Sequence, residues 1–330
     1  MREATVSDVA RRCGLSIASV SRTLNEPEKV RPGTRKRVQQ AIDELGYVPN
    51  AEARNLCIGM NKTIGLVIAD RQGDIFSELV RGIERQARTL GYQTVISLLH
   101  YGSGISKRSP NDFRGRADGM IFMVPQLERD EVEALVPELP TVLLNCVGET
   151  PRPMIMTDNA GGVAAVIEHF VLTGRRQIVY LSGPMSDRIA REQLGSYRAT
   201  MERLLPGATL IAIETDLSEK AGRDAVKRLT IEGCNYDAIS AASDIMALGV
   251  IEALRHRKVA VPHQVGVAGF ENSSLARYLE LTTVELGMDL VGARAVLRLT
   301  AMLGGTEISS ASETVPSMLV VRNSSRELLA

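Results

Sequence analysis

Near the start of the 330-residue chain, Ile17, Ala18, Ser21 and Arg22 are spaced to share one side of a short helical run. An arginine offers a planar fork for guanine O6 and N7, and small apolar groups meet the thymine methyl. Thr5, Ser16, Ser21, Asn25, Thr34 and Asn50 carry short polar groups suited to phosphate oxygens. Several of these positions equally suit helix caps, so both uses stand at this point. Farther along, Asp70, Asn145, Asp244 and Glu271 each follow a strand-like run. Open α/β sheets present their ligand-binding groups from there, although capping the next helix is as common a use of such residues.

Chemistry of other kinds finds little support. The chain has no GxxxxGK[ST], no GxGxxG opening a helix after a strand, no GxSxG and no HExxH. His100, His169, His256 and His263 are scattered, and Cys13, Cys57, Cys146 and Cys234 form neither a CxxC pair nor a zinc-ligand spacing. Free, buried thiols and solvated or structural histidines are expected, with no catalytic residue, metal or cofactor. Carboxylates distant in sequence can still meet in space, which keeps a small-molecule hydrolase open as an alternative. A transport-type binding protein is the other alternative, but it needs a signal peptide, and no apolar leader is expected here.

The elements that position these residues differ along the chain. Residues 1–60 show three helical patterns and no strand pattern. Helix 1 spans Val6 to Cys13, with Thr5 and Asp8 as a capping-box start and Gly14 for a left-handed turn. Leu15 plugs the core, Ser16 caps a second helix from Ile17 to about Leu24, and a third runs from Pro32 to a stop at Gly46. Two short helices joined by a glycine turn and braced by a third read as a helix-turn-helix, whose second helix enters a major groove. Periodicity alone fits any trihelical domain. The outward Ile17 and Ala18 favour the DNA-binding reading, since exposed apolar residues there need something to meet.

From Thr63, β-branched runs alternate with helical patterns: TIGLVIA, a helix from Ile75 to a stop at Gly91, QTVISLL, GMIFMV and TVLLN. The alternation restarts after Asp158, with a helix over 160–173, QIVYLSG, a helix near 188–205, ATLIAIE and a helix near 218–232. YDAISAAS, a helix near 244–256 and QVGVAGF complete it. Two parallel-sheet lobes are predicted. HYGSGISKRSPNDFRG (100–115) reads as a loop.

Composition agrees. The chain is 44% hydrophobic and 24% charged, and 39 basic residues balance 39 acidic ones. The balance hides an asymmetry: the first 60 residues hold ten Arg and Lys against seven carboxylates, a basic head on a mildly acidic body. No apolar run reaches the roughly 18 residues that span a bilayer, and no apolar leader opens the chain, so no membrane association and a cytoplasmic location are expected.

The sequence resembles the LacI/GalR family of bacterial transcription regulators. The resemblance lies in the head, TVSDVARRCGLSIASVSRTLNEPEKVRPGTRKRVQQAIDELGYVPNAEARNL. It continues in family order through TIGLVIAD, ELVRGIERQARTLGY, RADGMIF, TDN at 157–159, SDIMALG, VGVAGFENS and LTTV. It implies a helix-turn-helix domain (1–48), a hinge (49–61) and an effector-binding and dimerisation body (62–330) of periplasmic-binding-protein type. One lobe is expected at about 62–157 and 285–315, the other at about 158–284 and 316–330. It further implies a homodimer on a near-palindromic, nucleoid-borne operator. No leucine heptad follows VPSMLVVRNSS, so no tetramer is expected. In YVPNAEARNL, Asn50 can cap a hinge helix, Ala53 allows two such helices to approach, and Leu56 is an apolar wedge for the minor groove. The bland alternative for this stretch is a linker with Leu56 packed on the body.

Position by position, the resemblance carries effector contact onto Phe76, Asn145, Gln193, Ser243, Asp244 and Glu271, with Leu217 and Met288 as apolar walls. Gln193 stands where the family often has arginine, Ser243 where it has asparagine, and Gly73-Asp74 where it has Asn-Pro. The lost guanidinium argues against an anionic effector unless Arg191 substitutes, so a hydroxyl-rich sugar or nucleoside is favoured. Induction and corepression use the same parts.

Overall fold

The computed structural model describes residues 4–25, 27–47, 60–69, 75–99, 113, 115–124, 129–135, 138–146, 150–309 and 311–326. Asn50, Ala53, Leu56, Cys57, Asp70, His100 and nearly all of the 100–115 segment lie outside them. Contacts divide the chain into two units, residues 1–62 and 63–330.

The first unit is the three-helix head. α1 (Val6–Cys13) opens on a reciprocal cap: the Thr5 hydroxyl accepts from the Asp8 amide at 3.3 Å, and the Asp8 carboxylate accepts from the Thr5 amide at 3.0 Å. Gly14, at φ 63°, turns the chain into α2 (Ile17–Asn25), where the Ser16 hydroxyl accepts from the Ser19 amide at 3.1 Å. After a single 3₁₀ turn (Pro27–Lys29), α3 (Pro32–Leu45) starts on proline and stops at Gly46. Val9, Ala10, Cys13, Val20, Val38 and Ala41 form its core, closed by Leu15, Leu24 and Ile42. Burying each larger aliphatic side chain stabilises the head by roughly 1.5–3 kcal/mol. Arg37 of α3 donates to the Cys13 carbonyl at 2.6 Å, satisfying an end group that α1 leaves open.

The second unit contains two parallel sheets. In the N-lobe, β1 (Thr63–Ala69), β2 (Gln93–Leu99), β3 (Gly119–Met123), β4 (Thr141–Leu144), β5 (Met154–Thr157) and β11 (Glu313–Val315) lie in the order β11-β5-β4-β3-β1-β2. All neighbours are parallel. β1 is buried along its whole length, which is why TIGLVIA is continuous rather than alternating in hydrophobicity. α4 (Ile75–Thr89) and α11 (Met288–Leu303) pack on each other, and α5 (Arg129–Leu135) lies between β3 and β4 in sequence. The approach of α4 to α11 is set by glycine: a Cβ on Gly82 would stand 2.0 Å from the Asp289 carbonyl oxygen, and one on Gly292 2.6 Å from that of Leu79.

In the C-lobe, β6 (Ile178–Ser182), β7 (Ile211–Glu214), β8 (Ala238–Ala241) and β9 (Gly266–Ala268) form the sheet β7-β6-β8-β9, again all parallel. α6 (Asn159–Leu172) packs on α7 (Arg188–Leu204), and α8 (Glu219–Ile231) on α9 (Asp244–His256). Gly222 and Gly249 allow that second approach. α10 (Ser274–Tyr278) follows β9.

The chain passes between the lobes three times: from β5 to α6, through β10 (Thr283–Glu285) into α11, and from β11 through β12 (Met318–Val320). β10 and β12 pair antiparallel, so the second and third passes are zipped together. The last segment then returns to the C-lobe, where Ser324 accepts from the Val267 amide at 2.8 Å. His169 has a structural role, meeting the Ser325 hydroxyl at 2.8 Å. Cys13 and Cys146 are free and buried, and Cys234 is free and half-buried. Burial raises the Cys146 thiol to about 11.

Candidate functional site

In the head, α2 turns Val20 and Thr23 inward, while Ile17, Ala18 and Arg22 are exposed. Ile17 is 50% exposed, an apolar side chain held outward, and the Arg22 guanidinium makes no ion pair among the described residues. Ser16 is engaged as a cap, its hydroxyl also 2.9 Å from that of Ser19, and Thr5 is engaged in the capping box. Ser21 and Thr34 are half-buried at the surface. Asn25 ends α2, and nothing further is described of its side chain.

In the body, a cavity of about 760 Å³ lies between the two sheets at their carboxyl ends. Seven of the predicted effector residues line it: Phe76 from α4, Asn145 after β4, Gln193 from α7, Leu217 before α8, Ser243 and Asp244 at the start of α9, and Glu271 after β9. Arg191 and Met288 do not. Arg191 is exposed, and its guanidinium donates to the Met185 carbonyl at 2.8 Å and that of Ser186 at 3.2 Å. Met288 is buried in the main hydrophobic core. Asp70 lies outside the described residues. No Lys or Arg is among the described lining residues.

Local backbone presents these groups. Asn145 and Leu217 sit at φ 51° and 66°, a left-handed conformation that an asparagine tolerates better than most residues. The Asn145 side-chain Oδ1 accepts from the Thr157 amide at 2.7 Å and from its hydroxyl at 3.2 Å, which fixes the side chain across the start of the first interlobe pass. Gln193, only 4% exposed, accepts from the Tyr180 hydroxyl at 3.4 Å. Ser243 caps α9, accepting from the Met246 amide at 3.3 Å. Asp244 is buried; its oxygens accept from the Ser273 amide and the Thr283 hydroxyl, each at 2.6 Å. Loss of water pushes its carboxyl up to about 6, against the opposing pull of those bonds.

Asp187, Asp216, Thr157, Asn159 and Ser273 also line the cavity and escaped the sequence reading. Asp187 was accessible to it, as an acidic cap before a helix that follows a strand: it accepts from the Ile189 amide at 2.9 Å. TDN at 157–159 enters the resemblance as a motif with no role attached, and Ser273 gives no signal beyond its place before α10. Among the described residues, no three His, Cys, Asp or Glu are placed to hold a metal ion, and no helix is long and apolar enough to cross a membrane.

A helix-turn-helix head and a two-lobed, periplasmic-binding-protein-like receptor in one chain define a DNA-binding regulator that carries a ligand receptor. The comparisons agree unit by unit. Residues 5–50 match the bacterial regulatory proteins of the lacI family, and residues 167–325 match the periplasmic binding protein-like domain. Catabolite control protein A of Priestia megaterium is 32% identical over 329 residues, 98% of this chain and 99% of that protein. The ribose operon repressor of Escherichia coli (strain K12) is 30% identical over 303 residues, 89% of this chain and 91% of that protein. The lac repressor dimer bound to operator and the anti-inducer ONPF is similar at a TM-score of 0.88 and 29% identity, covering 98% of this chain and 99% of that one. The chain belongs to the lacI family and is a transcriptional regulator.

Proposed function

We propose that this protein is a homodimeric, cytoplasmic repressor that binds a near-palindromic operator and releases or tightens on it when a neutral, hydroxyl-rich molecule, a sugar or nucleoside, occupies the cavity. The observation that carries the ligand class is the lining: amide, hydroxyl and carboxylate groups from Asn145, Gln193, Ser243 and Glu271, apolar walls from Phe76 and Leu217, and no described Lys or Arg. Hydroxyls satisfy such a set, whereas a phosphate would meet carboxylates without a counter-charge. Arg191, held on the 185–186 carbonyls, does not supply that charge.

In this reading residues 1–48 are the DNA-binding domain, 49–61 the hinge with Ala53 and Leu56 at the minor groove, and 62–330 the receptor. Ile17, Ala18 and Arg22 face bases, while Thr5, Ser16, Ser21, Asn25, Thr34 and Asn50 face phosphates. The chain performs no catalysis, and a bound ligand is recovered unchanged. Selection of duplexes from a random pool, followed by a screen of neutral and phosphorylated sugars and nucleosides for a shift in that binding, tests the whole. A shift produced only by phosphorylated compounds would reverse the ligand assignment.

A further inference from the structure

The residue between two cavity-lining groups faces elsewhere. Glu271 and Ser273 line the cavity, but Asn272 does not. We propose that Asn272 is a positioning residue that ties Glu271 to the two zipped interlobe passes, so that what happens in the cavity is felt where the lobes are joined. This rests on the ligand-controlled reading above.

Glu271 stands at φ 103° and Asn272 at φ 50°, consecutive left-handed residues that need outside support. The support comes from the crossing strands. The Glu271 amide donates to the Val284 carbonyl at 2.9 Å, and the Asn272 amide to the Thr283 hydroxyl at 3.1 Å. The Asn272 side chain then reaches both passes at once. Its Oδ1 accepts from the Arg322 guanidinium at 2.7 Å, just beyond β12, and its Nδ2 donates to the Glu285 carboxylate on β10. Neither partner is a loose end. Arg322 also donates to the Leu281 carbonyl at 2.7 Å, and the other Glu285 oxygen accepts from the amide of Gly287, the residue just before α11 of the N-lobe, at 3.1 Å. On the cavity side, Asp244 grips the neighbouring Ser273 amide and the Thr283 hydroxyl.

The residue type suits this place. A carboxamide offers an acceptor to a guanidinium and a donor to a carboxylate, and asparagine tolerates the left-handed backbone. Aspartate could serve Arg322 but would set a second carboxylate against Glu285. A role confined to the turn would leave distant behaviour untouched, and that separates the two possibilities.

The test uses the full-length chain and a duplex selected from a random pool by wild type. Asn272→Gly keeps the left-handed backbone and removes the clamp; Asn272→Asp reverses half of it; Asn272→Asp with Glu285→Gln restores one donor and one acceptor with their places exchanged. Both single variants should change operator affinity at least 5-fold and hasten amide exchange at 283–287 and 318–322, while the double variant returns to within about 2-fold of wild type. Operator affinity within 2-fold of wild type in folded single variants, or exchange changes confined to 271–273, overturns the proposal. If wild type selects no duplex, the repressor reading fails, and the exchange measurement decides the clamp by itself. Should Asn272→Gly not fold, Asn272→Asp and its rescue carry the same decision.

Discussion

Arg22 and Asp244 both carry ionisable side chains, yet water treats them oppositely. Arg22 is exposed on α2, where a guanidinium is free to meet a base edge. Replacing it by alanine should lose about 1–3 kcal/mol of discrimination at one base pair per half-site, measured by competition among single-substitution operators. Equal weakening on every sequence would make it a phosphate contact instead. Asp244 is buried and holds a proton up to about pH 6, more tightly than the unfolded chain with its ordinary value of 3.8. This group therefore favours folding fully below about pH 4, and the contribution is lost as pH rises through about 6. The stability of Asp244→Asn relative to wild type should rise over that window by on the order of 2–3 kcal/mol, at about 1.4 kcal/mol per unit of raised pKa, in urea melts from pH 4 to 7. A flat difference would place the proton elsewhere.

The elements explain why much of this was legible and where legibility stopped. The head was readable because its stops and starts are chemical: Thr5 with Asp8, Gly14, Ser16, Pro32 and Gly46 all act where their types demand. Thr5→Ala should cost about 0.5–2 kcal/mol in the unfolding of the head. The long buried runs of β1, β3 and β6 were equally plain. β5, β10, β11 and β12 are three or four residues each and only partly buried, so unlike the equally short but fully buried β4, β8 and β9 they leave no continuous apolar run, and they lie at the crossings between the lobes. Met288 shows the limit for sites: an apolar residue near a cleft in sequence order can as well turn into the core. Gly82 and Gly292 gave no sequence signal, because a glycine inside a helical pattern declares its use only when the partner helix is known. Gly82→Ala and Gly292→Ala should each destabilise the body by about 1–3 kcal/mol in denaturant unfolding, since backbone meets the new methyl group.

At the scale of the molecule, DNA and ligand affinities are linked by one coupling free energy, the same in both directions. Operator duplex should therefore change the affinity of a ligand found in the sugar and nucleoside screen by the factor that this ligand changes operator affinity, measured by titrating each in the presence of the other. Unequal factors would mean that the two events do not share the same pair of states. The basic head on an acidic body adds a second expectation: operator binding should weaken steeply with added salt, while ligand binding to a cavity without a described Lys or Arg should barely respond.

The interleaving of the strands also bears on how the chain is made. β11, from residues 313–315, completes a sheet whose first strand begins at Thr63, while the C-lobe sheet has all four strands by Ala268 and gains an edge hydrogen bond between Ser324 and Val267. On the ribosome the N-lobe sheet cannot be finished until nearly all of the body has been synthesised, whereas the head has every contact of its core by residue 47. A stalled or prematurely terminated product would thus carry a complete three-helix head on an unfinished receptor, beyond the control of any ligand.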